Sequence, residues 1–225
     1  MTALMAATED IRPEKVLLLC ELCADVNKSD SRGRTALLIA TERRIYSSSM
    51  HKSIIDMLVV HGASLESRDL EGRTPLHQAV NRCHLCIVQI FVSFQKDLDV
   101  KDSTGATPLH LAVLSSAEDI VEELVLAGAG VNCVDNTGQT PLHIAARLLS
   151  HEILQFLLAH GGDCELKDRF GMTAANHAEA MIRNQDIIDL LSDPPTANLI
   201  ESDRVGSIIK RLSRCLRYTT LKSRR

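Results

Sequence analysis

Two pairs of cysteines have the spacing of metal-binding or redox-active thiols. Cys20 and Cys23 form one Cys-x-x-Cys pair, and Cys83 and Cys86 form the other. Four thiolates brought together would bind zinc, which prefers tetrahedral sulfur ligands in such sites. A single pair beside a strand–helix–strand unit would instead indicate thiol–disulfide exchange. Both chemistries need particular elements around the pairs, so the organisation of the chain decides between them.

A histidine also recurs at a fixed place, in the phrase Gly-x-Thr-Pro-Leu-His. The phrase occurs at Gly72–His77, Gly105–His110 and Gly138–His143. A histidine can act as an acid, a base or a metal ligand. However, no nucleophile elbow, phosphate-binding loop or His-Glu-x-x-His motif accompanies it. The sequence therefore predicts no enzyme, no catalytic residue and no cofactor.

The histidine phrase is part of a repeat that spans most of the chain. Its threonine recurs at intervals of 33 residues, with a single interval of 39. An alanine follows each threonine by five residues, and in the last five units an aspartate precedes it by five and a glycine by two. A fixed period of this length indicates a repeat architecture. Six units therefore begin near residues 2, 30, 69, 102, 135 and 168.

Each unit contains the signals of two helices and one turn. The Asp-x-x-Gly segment favours a tight turn, because aspartate bonds its own backbone and glycine accepts positive φ. Threonine then caps a helix, and proline fits its first position. A second helix with apolar residues at helical spacing follows and ends at a glycine such as Gly62, Gly128 or Gly161. One such pair cannot bury its apolar face alone, so the units must stack.

These motifs resemble those of the ankyrin repeat family, whose Thr-Pro-Leu-His-x-Ala phrase stands here at 74–79, 107–112 and 140–145. The resemblance implies an all-α solenoid of stacked antiparallel helix pairs with short β-hairpin turns, over residues 1–193. It also implies that each phrase histidine is structural, bonding the threonine hydroxyl and a carbonyl of the next unit. The residues given this role are Thr74, His77, Thr107, His110, Thr140 and His143.

The repeat register separates the two cysteine pairs. Cys20 and Cys23 lie at the end of the second helix of unit one, whereas Cys83 and Cys86 lie at the inter-helix turn of unit three. Stacked helices are about 8–10 Å apart, so two units separate the pairs by roughly 20 Å. Zn–S bonds are only about 2.3 Å long. The pairs cannot share an ion, and we expect buried or half-buried thiols and no metal site.

Protein–protein recognition is the function that the resemblance implies, and members of the family bind partners across the hairpin tips and the concave face of the first helices. The residues that vary between units at those places are the predicted contacts. On the tips they are Arg32, Arg34, Leu70, Arg73, Ala106, Gln139, Arg169, Phe170 and Met172; on the first helices they are Arg82, Leu114, Arg147 and Leu148. Leu114, Leu148, Phe170 and Met172 form an apolar set with arginine at its margin, which is typical of a binding hot spot.

The C-terminal segment differs from the repeats in composition. After a linker at 194–203, residues 204–225 contain eight Lys or Arg and no acidic residue, whereas the rest of the chain has 17 basic and 29 acidic residues. Apolar residues at helical spacing predict a basic amphipathic helix or tail. It could dock on the last repeat, contact an anionic membrane, a nucleic acid or a partner through Lys210, Arg211, Arg214 and Arg217, or serve as a nuclear-import signal. A degenerate SOCS-box-like tail of a ubiquitin-ligase adaptor is a further alternative.

Three further expectations come from the ends of the chain, its thiols and the long interval. The first unit lacks a preceding turn, which predicts either a truncated form of a longer chain or a frayed N-terminal helix pair, and we favour truncation. The seven cysteines and the absence of a signal-like N-terminus favour an intracellular protein, cytoplasmic or nuclear. Six additional residues within 41–53, around Arg43, Arg44 and Tyr46, predict a surface loop or a contact or phosphorylation loop.

Overall fold

A computed structural model of the chain describes residues 1–42, 49–94, 97–181 and 185–192. Within these residues the secondary structure is helical, and no residue lies in a regular strand. The long-interval loop at 43–48, residues 95–96 and 182–184, the linker and the basic tail lie outside the described residues. The helices of the described residues are α1 Ala3–Glu9, α2 Pro13–Glu21, α3 Ala36–Glu42, α4 Ser49–Val60, α5 Pro75–Asn81, α6 Leu85–Phe94, α7 Pro108–Leu114, α8 Glu118–Leu126, α9 Pro141–Leu148, α10 His151–Ala159, α11 Ala174–Met181 and α12 Gln185–Ser192.

The helices form six pairs, one for each predicted unit. The two helices of a pair contact each other, as α7 contacts α8 and α9 contacts α10. The first helices of successive units contact in order from α1 to α11, and the second helices contact in order from α2 to α10. This arrangement is the predicted stack, in which each unit buries the apolar face of its neighbour.

The core is one continuous aliphatic cluster that runs from Leu4 in α1 to Leu191 in α12. Within it, Leu124 of α8 and Leu157 of α10 are fully buried. The alanine that follows each threonine by five residues is buried in every unit, where its small side chain lets neighbouring helices pack closely. The repeated positions of the sequence are therefore the positions of the core.

The second helices end as their sequence predicts. Gly62, Gly128 and Gly161 have positive φ values of 84°, 100° and 88°. This left-handed conformation favours glycine, which has no Cβ to clash with the backbone. Cys23 replaces the glycine in unit one and still adopts a φ of 59°. The C-terminal turn is thus imposed by the stack even where the residue type disfavours it.

The hairpin tips, meaning the Asp-x-x-Gly segments, are closed by hydrogen bonds within each unit. In unit three the Asp69 N–H donates to the Arg73 carbonyl at 3.1 Å, and the Asp69 carboxylate accepts the N–H groups of Glu71 and Arg73. Neighbouring tips are also joined, since the Arg169 N–H donates to the Thr137 carbonyl at 3.0 Å. These contacts hold the tips of units five and six in a fixed relation.

Candidate functional site

The phrase histidines connect adjacent units, as the resemblance implies. Nδ1 of His110 lies 2.8 Å from the Thr107 hydroxyl and accepts the Thr107 N–H at 3.1 Å. Its Nε2 lies 3.0 Å from the carbonyl of Gln139 in the next unit, so Nε2 carries the proton and donates. His77 and His143 make the same contacts with the carbonyls of Ala106 and Met172, both at 3.1 Å.

The sixth unit keeps only the local half of this arrangement. Asn176 stands at the histidine position, and its Oδ1 accepts the Thr173 N–H at 3.0 Å and the Thr173 hydroxyl at 3.1 Å. The asparagine side chain is too short to bond a carbonyl of a neighbouring unit as well, as the phrase histidines do. Beside it, His177 Nε2 lies 2.8 Å from Asp168 Oδ2. That contact ties the first helix of unit six to its own hairpin tip.

The buried histidines give the fold a pH dependence. Burial is the largest influence and lowers the pKa of His77, His110 and His143, although hydrogen bonds to carbonyls act in the opposite direction. The same imidazoles titrate near 6.5 when exposed. Below that pH the unfolded chain therefore binds more protons than the folded chain. The stability that the neutral imidazoles provide is complete above about pH 6.5 and is lost as the pH falls towards their folded-state pKa values.

We therefore expect the melting temperature to fall as the pH is lowered from about 6.5 to about 5.5. Each imidazole can lower the free energy of unfolding by up to ~1.4 kcal/mol per pH unit in this window. The measurement is thermal unfolding followed by circular dichroism across the range. His110→Asn should show a shallower dependence than the native chain. An unchanged or rising melting temperature on acidification would contradict the buried neutral state of these side chains.

The cysteine pairs lie where the register predicts, but most of their thiols are more exposed than expected. Cys20 is buried in α2, and burial raises its pKa. Cys23, Cys83 and Cys86 are exposed, so the prediction of buried or half-buried thiols is wrong for these three. Cys83 is exposed because it occupies a left-handed turn between α5 and α6, with φ at 55°.

Neither metal binding nor a membrane span is indicated by the described part of the chain. Within it, no group of three or more His, Cys, Asp or Glu side chains could hold a metal ion. The longest helix there, α4 with 12 residues, is also too short to cross a bilayer.

The predicted contact residues differ in how much surface they present. Phe170 is 80% exposed, Leu70 75%, Leu114 52% and Leu148 41%. Ala106 is buried at 8% exposed, with its carbonyl bound to His77, so its side chain is not part of the exposed set. Gln139 and Met172 are half-buried, and their carbonyls also bind phrase histidines.

The predicted arginines fall into two groups. Arg34 pairs with Asp30 and Glu42, both at 2.8 Å, and Arg73 pairs with Asp69 and Glu71. These two are engaged within their own units. The other four arginines are Arg32, Arg82, Arg147 and Arg169. Their side chains form no ion pair or side-chain hydrogen bond with described residues.

Three apolar and three unpaired basic residues share the first-helix side of units three to six. Leu114 and Arg147 both stand seven residues after a phrase threonine, and Arg82 and Leu148 both stand eight residues after one. Because α7 contacts α9, Leu114 and Arg147 stand at equivalent positions of adjacent units, whereas Arg82 and Leu148 are two units apart. Arg169 and Phe170 lie on the next tip. We call this set the tip–helix patch: Arg82, Leu114, Arg147, Leu148, Arg169 and Phe170.

The geometry defines a helical repeat solenoid in which buried histidines join successive units. Sequence comparison places the chain more narrowly, because the family described as "Ankyrin repeats (3 copies)" matches residues 44–135 and 116–203. The matches cover more than half of the chain, which therefore belongs to the ankyrin repeat family. The second match continues to residue 203, past the described residues, so the domain boundary at 193 stays a prediction.

Structure comparison finds the same fold. The chain is similar to the crystal structure of the ankyrin repeat domain of Bcl-3, a unique member of the IkappaB protein family. The two chains share 29% sequence identity and superpose with a TM-score of 0.77. The similarity covers 86% of this chain and 82% of the Bcl-3 chain. No curated protein matches the sequence.

Proposed function

We propose that the chain is a non-catalytic recognition protein that binds a partner protein through the tip–helix patch. One observation carries the proposal: Phe170, Leu114 and Leu148 expose large apolar side chains on the side of the stack that also carries arginines without an ion pair among the described residues. Other apolar side chains, such as Leu22 and Val60, are exposed on the second-helix side. Exposed apolar clusters rimmed by polar groups mark interaction sites. Ankyrin repeat proteins are in general interaction scaffolds, which agrees with this use.

Phe170 is the strongest single anchor in the patch. Its ring is 80% exposed, while its N–H is held by the Asp168 carboxylate at 2.8 Å. An aromatic side chain on an ordered backbone loses little conformational freedom when a partner covers it. Met172 is a weaker candidate than the sequence suggests, because it is half-buried.

The partner surface can be tested with peptides selected from a random displayed library against the full chain. Replacing Phe170 and Leu148 with Ala should weaken the binding of the selected peptides by more than about 2 kcal/mol, or roughly thirtyfold, if both are hot spots. The melting temperature should change little, because both side chains are already solvated.

The matched control changes two apolar residues on the second-helix side. Leu22 is 69% exposed and Val60 is 75% exposed, and both lie far along the chain from the patch. Leu22→Ala with Val60→Ala should leave binding unaltered. The proposed function fails if this control abolishes binding, or if the Phe170 and Leu148 variant binds like the native chain.

We also propose an intracellular location, cytoplasmic or nuclear. Exposed free thiols at Cys23, Cys83 and Cys86 support it, because such thiols persist in reducing compartments. Cell fractionation of the tagged chain tests the proposal, and recovery from the secreted fraction would contradict it. The functions assigned to the basic tail lie outside the described residues and stay predictions from the sequence.

A further inference from the structure

The unpaired arginines of the tip–helix patch indicate the chemistry of its partner. Arg34 and Arg73 show that this chain satisfies a tip arginine internally where a carboxylate is within reach. Arg82, Arg147 and Arg169 have no such carboxylate among the described residues, and the Nε of Arg82 is buried without a hydrogen-bond partner. A guanidinium has five donors suited to two-point contact with a carboxylate. The guanidinium groups of Arg147 and Arg169 and the terminal nitrogens of Arg82 are therefore available to an acidic group from outside, whereas the buried Nε of Arg82 is not.

The two sides of the stack differ in charge. In units three to five the first helices α5, α7 and α9 contain no acidic residue. Among the second helices of these units, α6 contains no charged residue. The helices α8 and α10 contain five acidic residues and no Lys or Arg, namely Glu118, Asp119, Glu122, Glu123 and Glu152. An acidic partner is thus repelled by the second-helix side and attracted to the first-helix side.

The acidic residues nearest the patch are largely turned to their own backbone. Oδ1 of Asp135 accepts the N–H groups of Thr137 and Gln139 at 2.7 and 2.9 Å. Asp102 bonds its own tip in the same way, and Asp168 bonds both its tip and His177. Glu71 on the tip of unit three is exposed but pairs with Arg73, and Glu179 on α11 is also exposed. The tip carboxylates form no ion pair with Arg82, Arg147 or Arg169. A carboxylate of a partner can therefore bind guanidinium N–H groups that have no carboxylate partner among the described residues.

We propose that the tip–helix patch binds an acidic protein segment whose apolar side chains alternate with aspartate or glutamate. The proposal rests on the proposed function, since it names the partner class for the same surface. Apolar and basic residues alternate across the patch, with Leu114 beside Arg147 and Arg169 beside Phe170. The segment places its apolar side chains on Leu114, Leu148 and Phe170, and its carboxylates reach Arg82, Arg147 and Arg169.

The dimensions of the patch constrain that segment. The tip and the far end of the first helix are separated by the length of α9, whose eight residues extend about 12 Å. Along the stack the patch is longer, because Arg82 of unit three and Arg169 of unit six are three unit spacings, or roughly 25–30 Å, apart. An extended chain covers this length in about eight or nine residues, and a helix covers it in about five turns. A short linear segment is therefore sufficient, and a folded partner can present it from one loop or helix.

A nucleic acid is a less suitable occupant. Single-stranded binders combine a continuous basic groove with several aromatic stacking platforms. The patch has three arginines, and Phe170 is its only aromatic ring. Leu114 and Leu148 offer apolar contact that a sugar–phosphate backbone does not use.

The test selects peptides from a random displayed library on the full chain and measures their affinity by fluorescence anisotropy. We expect the selected peptides to be enriched in Asp and Glu next to Leu, Ile or aromatic residues. Changing Arg82, Arg147 and Arg169 together to Gln should weaken binding about tenfold or more, with a smaller dependence on salt. If that variant does not fold, Arg169→Gln is measured alone. The Arg169 side chain is exposed, so its replacement should leave the fold intact and still give part of the loss of affinity.

The matched control removes three positive charges elsewhere, by changing Lys15, Lys28 and Lys52 to Gln. These exposed lysines belong to units one and two, and their loss should leave affinity within about twofold. Selected peptides without acidic residues, a library that yields no binder, or equal losses in both triple variants would overturn the proposal. Displacement of the peptide by a single-stranded oligonucleotide, with the same loss on the arginine variant, would also overturn it.

The outcomes separate this inference from the proposed function. If alanine at Phe170 and Leu148 abolishes binding but glutamine at the arginines does not, the surface is right and its partner chemistry is wrong. If neither set of changes affects binding, the surface itself is wrong.

Discussion

Leu157→Ala should lower the free energy of unfolding by about 2–5 kcal/mol, the range for buried leucines cut to alanine. Leu157 is fully buried in α10, at the centre of unit five. The loss combines the transfer of the removed methyl groups to water with the cavity that remains. Because each unit is stabilised by its neighbours, the cavity also weakens the contacts of units four and six.

Urea unfolding of the purified chain measures this loss. Leu124→Ala, in the equivalent helix of unit four, should cost a similar amount, since its side chain is also fully buried. The control is Leu22→Ala, because that side chain is 69% exposed and its removal should cost less than about 0.5 kcal/mol. A loss below half a kilocalorie at both core sites would show that the assigned register is wrong.

The second large effect is expected at His110, which is 1% exposed. His110→Ala removes the partners of the Thr107 N–H and of the Gln139 carbonyl. Each buried polar group left without a partner costs about 1–3 kcal/mol, so we expect a total loss of roughly 2–6 kcal/mol. Urea unfolding again provides the measurement.

The variant His110→Asn separates the stability that comes from the local cap from the stability that comes from the contact with the next unit. Asn176 shows that asparagine can accept the threonine N–H of its own unit, at 3.0 Å. His110→Asn should therefore keep the local cap, lose the contact with the next unit and fall between the native chain and His110→Ala. His61→Ala is the control, because His61 is exposed and its ring bonds the Met57 carbonyl of the helix that precedes it. Equal stabilities for all four proteins would contradict the structural role of the phrase histidine.

The parts of the structure that repeat were predictable from the sequence. The threonine and glycine of the phrase recur at a fixed spacing, and a position that recurs with its residue type reports a physical requirement that the units share. The six helix pairs and the glycine caps follow from this rule. The phrase histidine stands in only three units, and its contacts were implied by the resemblance to ankyrin repeats. The spacing of Asp and Arg in the tips of units two and three would also have revealed the Arg34 and Arg73 pairs.

Features without a residue signature were not predictable. Ile11, Cys83, Ser116 and Leu149 all have positive φ between the helices of a unit, yet none is glycine. The packing of the two helices imposes this conformation, which residue types alone would have argued against. Side-chain exposure also depends on the stack: it buries Ala106 and Met172 to different degrees and leaves Cys83 and Cys86 at the surface.

The most direct test of partner recognition by the tip–helix patch is a methyl NMR titration. The chain is labelled at its leucine methyl groups, and a selected acidic peptide is added. We expect the signals of Leu114 and Leu148 to shift, while those of Leu18 and Leu22 on the second-helix side stay unchanged. Shifts at Leu18 and Leu22 with none at Leu114 and Leu148 would contradict recognition by this patch.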